Sequence, residues 1–269
     1  MHVNGINLNV EQRGEGEPLV MLHGLGANLE WMRPEMERLS RVRRVIAIDL
    51  RGHGRSERPA QYTLSDHLND VIGVVDALDL PWVDLMGTSM GSYVAQGVAT
   101  RVPGRVRKLV LVVSKASGST SSMARIAQQY ADQLRGKSDP EVQAFLMNLL
   151  FAPETSAEVR AAVAAQAQRD VEQGLNLGAE QYAAANRALE GFDFRPRLPH
   201  VTADTLVISG RHDPANPPEC GEEIAHLIPH ARFVVMEHSG HMANIEEADT
   251  LLDVVEGFLE GSPVASQGR

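Results

Sequence analysis

Short runs of consecutive apolar residues alternate along this chain with segments in which apolar residues recur every three or four positions. Continuous runs such as residues 19–22 and 45–48 are typical of strands that are buried on both faces of a sheet. The spacing of Leu68, Val71 and Val75 is instead typical of a helix with one buried face. Because strands and helices alternate, we predict an α/β fold with a mostly parallel central sheet and helices on both faces.

The same patterns locate the individual elements of this fold. The first strand pattern is the loose alternation of residues 6–13. The predicted buried strands cover residues 19–22, 42–48, 83–86, 108–113, 205–210 and 233–236. The predicted helices that belong with these strands cover residues 28–39, 65–78 and 245–259, with a further helix starting near residue 93.

Between residues 119 and 191 the alternation stops, and four helical patterns follow one another with no strand pattern. Asp139 and Pro140 are expected to open the second of these helices, and Thr155 with Glu158 is expected to form a capping box on the third. Glycines 136, 174 and 191 fall at predicted helix ends. We therefore predict a helical insertion at residues 119–198, core segments at residues 1–118 and 199–261, and a loose tail at residues 262–269.

Composition and charge narrow the class of protein. A chain of 269 residues with 43% hydrophobic and 22% charged residues is typical of a soluble globular protein. No apolar stretch reaches the roughly 18 residues that span a bilayer, and the first residues do not resemble a secretion signal, so we expect a cytoplasmic protein. A net charge of -10 without a basic run argues against nucleic acid or an anionic membrane as a partner. Cys220 is the only cysteine and cannot form an internal disulfide.

The segment that is richest in chemical information is Gly87-Thr88-Ser89-Met90-Gly91, which lies between a predicted strand and a predicted helix. A sharp turn at this point would lift the hydroxyl of Ser89 clear of the sheet. The chain must then pass close to itself two residues before and two residues after the serine, where only glycine fits. Ser89 is therefore the candidate nucleophile.

A serine nucleophile needs a base, and the base needs a carboxylate that orients it. His241 follows the last strand in a glycine-containing loop, and Asp213 follows the preceding strand. Loops after parallel strands gather at one edge of a sheet, so both side chains can reach Ser89. Two alternatives stay open: His212 or His238 could be the base, and Asp213 could merely cap its own turn.

The loop His23-Gly24-Leu25-Gly26 directly follows the first buried strand. Its glycines allow a backbone N–H, best that of Leu25, to point at a developing negative charge, although an ordinary turn would look the same. We expect His23 to brace this loop and His53 to hold its own turn. Structural roles are assigned to the remaining candidate carboxylates, which are Asp49, Asp84, Asp193 and Asp204.

Taken in order, these segments, together with Asp49-Leu50-Arg51-Gly52-His53-Gly54-Arg55-Ser56, resemble the motifs of the α/β-hydrolase family. The resemblance implies that the insertion forms a cap domain, that the substrate pocket lies between cap and sheet, and that the N–H groups of Leu25 and Met90 form an oxyanion hole. The chain is most similar to small carboxylesterases and lactonases such as 3-oxoadipate enol-lactonases. It departs from many relatives at Ser92, where they have a second glycine.

The expected activity is that of a serine hydrolase that cleaves a small to medium carboxylic ester or lactone through an acyl-enzyme, without metal or organic cofactor. Three alternatives remain: a carbon–carbon bond hydrolase of ring-cleavage products, a cofactor-free perhydrolase, and a slow-turnover ligand receptor of the same fold. The expected partner is a small-molecule substrate, and the oligomeric state is left open. The cap residues expected to line an apolar pocket are Met123, Ile126, Phe145, Leu146 and Leu149.

Overall fold

The computed structural model describes residues 1–261, apart from the side chains of residues 139 and 140, so the predicted tail lies outside the described residues. Its strands are β1 (His2–Val3), β2 (Ile6–Asn7), β3 (Val10–Arg13), β4 (Pro18–Leu22), β5 (Arg44–Ile48), β6 (Val83–Thr88), β7 (Val106–Val112), β8 (Ser117–Gly118), β9 (Phe192–Asp193), β10 (Asp204–Gly210) and β11 (Ala231–Met236). Its α-helices are α1 (Arg33–Leu39), α2 (Leu64–Ala77), α3 (Met90–Arg101), α4 (Ser122–Gln129), α5 (Ala131–Leu134), α6 (Asp139–Leu149), α7 (Ala157–Glu172), α8 (Ala179–Ala188), α9 (Pro218–Leu227), α10 (Ala243–Glu246) and α11 (Ala248–Glu260). Short 3-10 helices cover Leu29–Met32, Pro103–Arg105 and Leu198–His200.

The centre of the molecule is a seven-stranded sheet with the order β11-β10-β7-β6-β4-β5-β3. Every neighbouring pair is parallel except β3 with β5 at the edge, and the mostly parallel sheet predicted from the sequence is therefore confirmed. All five residues of β4 are buried, as its uninterrupted apolar sequence predicts. The carboxyl ends of β4, β6, β10 and β11 lie at one edge, so the loops that follow these strands can meet there.

Helices cover both faces of the sheet, and each face has its own hydrophobic core. Residues of α2, α3 and α9 pack with one face, whereas residues of α1 and α11 pack with the other. Among residues 1–261, no helix has the length and apolar character that crossing a membrane requires.

Two helices predicted as single elements are each divided. Residues 28–39 form the 3-10 helix Leu29–Met32 before α1, because Pro34 has no N–H to bond to the preceding turn of an α-helix. Residues 245–259 are interrupted at Glu247, whose backbone is not helical and whose carboxylate accepts hydrogen bonds from the His238 N–H and the Ser239 hydroxyl.

The insertion contains the five helices α4 to α8 where four helical patterns were predicted, because Tyr130 ends the first pattern and separates α4 from α5. The predicted capping box of Thr155 and Glu158 is wrong. Ser156 caps α7 by accepting the N–H of Val159, and the Thr155 hydroxyl donates to Glu246 instead. Strands β8 and β9 pair antiparallel where the chain leaves the core and where it returns. The division into cap and core domains remains a prediction.

Candidate active site

Ser89 lies in the turn between β6 and α3, and its backbone has the left-handed values φ 52° and ψ -118°. The sheet holds this turn, since the N–H of Ser89 donates to the carbonyl of Val112 (2.9 Å). A Cβ on Gly87 would overlap the backbone of Gly91, and a Cβ on Gly91 would overlap the carbonyl of Leu22. Both glycines are thus required by the close approach that was predicted from the sequence.

The structure brings the three predicted side chains together in one hydrogen-bonded chain. The Nε2 atom of His241 lies 2.9 Å from the Oγ of Ser89, and its Nδ1 lies 2.7 Å from Oδ2 of Asp213. Because a carboxylate only accepts, Nδ1 carries the hydrogen and Nε2 is left as the acceptor for the serine hydroxyl. This is the tautomer that a base for Ser89 needs.

The structure distinguishes His241 from the two alternative bases, and it gives Asp213 both of the roles that the sequence left open. His212 and His238 are both exposed, whereas His241 is buried beside Ser89. Asp213 does support its own turn, because its Oδ1 accepts the N–H groups of Ala215 (2.7 Å) and Asn216 (3.0 Å). The other oxygen of the same carboxylate faces His241, so the two roles coexist.

Two backbone N–H groups beside Ser89 have no hydrogen-bond acceptor within residues 1–261, and they are those of Leu25 and Met90. Both residues line the cavity at Ser89. Met90 begins α3, where N–H groups are unpaired and the helix dipole favours negative charge. The loop of Leu25 lies against the serine, since a Cβ on Gly24 would be 3.4 Å from the Cβ of Ser89. Both positions therefore suit an oxyanion hole, the role predicted for them.

Two buried histidines hold the backbone around this site. His23 accepts the N–H of Leu50 on Nε2 (2.9 Å), so its Nδ1 donates to the carbonyl of Gly24 (2.7 Å). Burial lowers the pKa of His23, although the nearby Asp49 carboxylate opposes this, and the ring is held neutral. His53 contacts the carbonyl of Arg51 in its own loop (3.0 Å). These contacts agree with the bracing roles predicted for both residues.

Hydrogen bonds to Glu246 connect the insertion to the loop that carries His241. Its carboxylate accepts the N–H of Ala152 (2.7 Å), the N–H of Gly240 (2.8 Å) and the hydroxyl of Thr155. A Cβ on Gly240 would overlap the carbonyl of Leu150, so this loop and the insertion are in direct contact.

A cavity of about 20 Å³, roughly the space of one water molecule, lies against Ser89. Its walls contain no Lys or Arg among the described residues. The lining residues are Leu25, Ser89, Met90, Tyr93, Ser121, Ser122, Met123, Leu189 and His241. In the described part of the chain, no cluster of three or more His, Cys, Asp or Glu residues is arranged to hold a metal ion.

The five predicted pocket residues are placed unequally. Met123 lines the cavity and packs against a cluster around the buried Ile126. This cluster contains Leu150 and Ala215, and Leu146 and Leu149 also pack against it, whereas Phe145 lies outside it. The ring of Phe145 meets that of Tyr130 edge to face, with 5.7 Å between centroids. Direct substrate contact by Ile126, Phe145, Leu146 and Leu149 therefore stays a prediction.

Sequence reasoning missed four polar residues at or next to the cavity, which are Tyr93, Ser121, Ser122 and Asn216. Tyr93 and Ser122 line the wall, and the side chain of Asn216 contacts both. Sequence signals could have found two of them, because Tyr93 follows Ser89 by one helical turn and Asn216 follows Asp213 by three residues.

Comparison with known proteins agrees with this geometry. Residues 17–248 match a family described as the alpha/beta hydrolase fold. The 2-hydroxymuconate semialdehyde hydrolase of Pseudomonas sp. strain CF600 is 33% identical, with 97% of this chain and 93% of that protein covered. The 3-oxoadipate enol-lactonase 2 of Acinetobacter baylyi is 28% identical, with coverage of 95% and 94%. Among solved structures, the enol-lactonase from Burkholderia xenovorans has 31% identity and a TM-score of 0.81, and the match covers 96% of this chain and 98% of that one.

Proposed function

This chain belongs to the α/β-hydrolase family, and we propose that it is a serine hydrolase that cleaves a small to medium carboxylic ester or lactone. The observation that carries the proposal is the hydrogen-bonded chain from Ser89 through His241 to Asp213. Similarity to two proteins named as enol-lactonases supports the lactone class.

In the first half of the reaction, Nε2 of His241 takes the hydroxyl proton of Ser89, and Oγ attacks the carbonyl carbon. The carbonyl oxygen becomes an oxyanion, which the N–H groups of Leu25 and Met90 stabilise. When this intermediate collapses, the bond to the leaving alcohol breaks and His241 gives that oxygen its proton. The acyl group is then an ester of Ser89.

In the second half, water takes the place of the alcohol. His241 removes a proton from the water as it attacks the acyl carbon, and the same proton returns to Oγ of Ser89 when the acid leaves. Asp213 holds the ring in the required tautomer throughout and stabilises its positive charge. The histidine and the serine are thereby restored.

The cavity wall favours an uncharged substrate. An anionic group would gain most from a nearby cation, and no Lys or Arg side chain lines the described cavity. Its volume is also too small for an acyl chain, so side chains of the wall must move when substrate enters. Met123 is unbranched and flexible, which makes it the residue most able to give way.

A carbon–carbon bond hydrolase is the second candidate, and one observation favours it. The relative from Pseudomonas sp. strain CF600, at 33% identity, is named as a 2-hydroxymuconate semialdehyde hydrolase. The same serine chemistry could serve that reaction, so the geometry of Ser89 does not separate the two candidates. The absence of Lys and Arg from the described cavity wall does not separate them either, because 2-hydroxymuconate semialdehyde and 3-oxoadipate enol-lactone each carry a carboxylate.

Turnover of a substrate panel by the wild-type protein and by Ser89→Ala tests the proposal. The panel contains p-nitrophenyl esters of graded acyl length, several lactones and 2-hydroxymuconate semialdehyde. Ser89→Ala should remain folded by circular dichroism but lose about 10⁴- to 10⁶-fold in rate. A fluorophosphonate should label Ser89 in the wild type alone.

The panel also separates the candidates from one another. Fastest turnover of 2-hydroxymuconate semialdehyde would replace the ester or lactone assignment with the second candidate. Single turnover followed by tight retention of the product would instead indicate a ligand receptor.

A further inference from the structure

The hydroxyl group of Tyr93 occupies a fixed position on the wall of the cavity at Ser89. Tyr93 lies one turn along α3 from the serine and is 2% exposed. Its ring stacks on Phe192 with 5.0 Å between centroids, so the phenol cannot swing away from the cavity. The chemistry of this group depends on where its single hydrogen points.

The amide of Asn216 has only one orientation that satisfies its neighbours. The carbonyl of Val113 lies 2.6 Å from one amide atom, and because a carbonyl only accepts, that atom is Nδ2. The other atom, Oδ1, then faces the hydroxyl of Ser122 at 2.6 Å and accepts its hydrogen. The second hydrogen of Nδ2 is donated to the hydroxyl oxygen of Tyr93 at 2.7 Å.

The hydrogen of the Tyr93 hydroxyl is therefore available for another acceptor. Asn216 donates to this oxygen and cannot accept from it, and Ser122 Oγ is 3.5 Å away, at the limit of a hydrogen bond. Burial raises the pKa of Tyr93 to about 12, which hydrogen bonding to Ser122 and Asn216 opposes only in part. The phenol thus keeps its hydrogen near neutral pH, and it shares the wall of the cavity of about 20 Å³ with Ser89.

We propose that Tyr93 is a further catalytic residue, whose hydroxyl donates a hydrogen bond to Oγ of Ser89 while the acyl-enzyme breaks down. This proposal rests on the serine-hydrolase function proposed above. It assigns to Tyr93 a stabilising contact with the oxygen that leaves, separate from the N–H groups that face the oxyanion.

The step in which this contact matters is the collapse of the second tetrahedral intermediate. The oxyanion re-forms the carbonyl, the bond between the acyl carbon and Oγ breaks, and Oγ leaves with the electron pair. The proton held on Nε2 of His241 then passes to Oγ. Tyr93 loses no proton in this step, since its hydroxyl only shares its hydrogen with Oγ as negative charge gathers there.

Tyr93 also has a second possible role, because its oxygen anchors Asn216. The backbone N–H of Asn216 donates to Asp213, so loss of the anchor could disturb the residue that orients His241. A role of this kind would slow every step that needs His241 as a base. Formation and breakdown of the acyl-enzyme must therefore be measured separately.

Stopped-flow release of p-nitrophenol from p-nitrophenyl acetate, with intact-mass measurement of the acyl-enzyme, tests the proposal on Tyr93→Phe. We expect breakdown of the acyl-enzyme to slow about 10- to 100-fold while its formation changes less than about threefold. Acylated Ser89 should accumulate, and kcat and KM should fall together.

Tyr62→Phe is the matched control, because it removes another buried hydroxyl. That hydroxyl has no hydrogen-bond partner within residues 1–261. This variant should show wild-type rates for both steps. Asn216→Ala removes the contact between Asn216 and Tyr93 and leaves the Tyr93 hydroxyl in place. In this variant, formation and breakdown of the acyl-enzyme should slow together.

The results distinguish failure of this proposal from failure of the proposed function. Equal slowing of both steps in Tyr93→Phe, or no change in either step, would overturn the assignment of Tyr93. A wild-type protein that neither forms an acyl-enzyme nor reacts with a fluorophosphonate at Ser89 would overturn the serine-hydrolase function itself.

Discussion

The backbone N–H of His241 donates a hydrogen bond of 2.7 Å to the carbonyl oxygen of Leu150. Leu150 directly follows α6, so the insertion contacts the backbone of the proposed base itself. Glu246 reinforces this junction through its contacts with Ala152, Thr155 and Gly240. The position of the base therefore depends on the insertion as well as on the sheet.

Glu246→Ala should weaken this junction. The variant leaves the N–H groups of Ala152 and Gly240 without their acceptor, and hydrogen bonds to a charged group contribute about 1.5–3 kcal/mol each. We expect the free energy of unfolding in urea to fall by about 2–4 kcal/mol and kcat to fall with it. The control is Glu222→Ala, on the exposed side of α9, which should change neither quantity. Unchanged stability and activity in Glu246→Ala would contradict the junction.

Asp213→Asn should reduce kcat by about 10⁴-fold with little loss of structure, because an amide can favour the wrong tautomer of His241. Asp204→Asn is the matched control, since Asp204 is exposed at the start of β10. Steady-state kinetics on p-nitrophenyl acetate checks both variants. Similar activity of the two variants would remove Asp213 from the mechanism.

Met123→Ala should enlarge the cavity and move the optimum of an acyl series toward longer chains. Each additional buried methylene contributes roughly 0.8 kcal/mol at most until the space is filled. Leu149→Ala removes a side chain from the adjoining cluster and should leave the optimum in place. Values of kcat/KM for p-nitrophenyl esters of graded length report the shift. If Leu149→Ala moved the optimum instead, the acyl group would occupy the cluster around Ile126.

His67→Leu should make the protein more resistant to acid. Burial lowers the pKa of His67 from 6.5 to about 3, and neither ring nitrogen has a hydrogen-bond partner within residues 1–261. The unfolded chain binds this proton more readily, so the folded state loses about 1.4 kcal/mol per pH unit as the pH falls from 6.5 toward 3. Urea unfolding at several pH values should show a smaller loss for this variant, and the exposed-site control His226→Leu should match the wild type.

Glu35→Gln should stabilise the protein in alkaline solution. Burial raises the pKa of Glu35 from 4.5 to about 7, although the donor Asn244 Nδ2 (2.8 Å) opposes the shift. The folded state holds this proton more tightly, so the stabilisation is present below pH 4.5 and is lost as the pH rises through 7. Glu35→Gln keeps the acceptor oxygen without the charge, and its free energy of unfolding should exceed that of the wild type by about 3 kcal/mol at pH 9. Equal stability of the two proteins at pH 9 would contradict a buried, charged Glu35.

The sequence was most informative where a short pattern has one physical cause. Uninterrupted apolar runs predicted the buried strands, and the two glycines around Ser89 predicted the sharp turn, since no larger residue fits at either position. The order of the loops after the strands then brought Asp213 and His241 to the serine, because parallel strands end at one edge.

The sequence was least informative where contacts join distant segments. The network of Tyr93, Ser122 and Asn216 draws its residues from α3, α4 and the loop before α9. The spacing of Tyr93 and Asn216 from Ser89 and Asp213 places each near the site, but no spacing encodes their meeting with Ser122. Ser92, which departs from the glycine of many relatives, is another case. Its hydroxyl donates to the carbonyl of Ser89 (2.5 Å), three residues earlier, and it also lies 2.7 Å from the hydroxyl of Ser114, a contact that no local pattern predicts.

The pairing of β8 with β9 joins the two ends of the insertion, with Ser117 opposite Asp193 and Gly118 opposite Phe192. A segment whose ends meet can be exchanged for another of different length without altering the spacing of the strands that carry it. Replacement of the helices between these two points, with the contacts of Leu150 and Ala152 to His241 and Glu246 retained, should therefore change the residues that face the cavity and leave His241 in place.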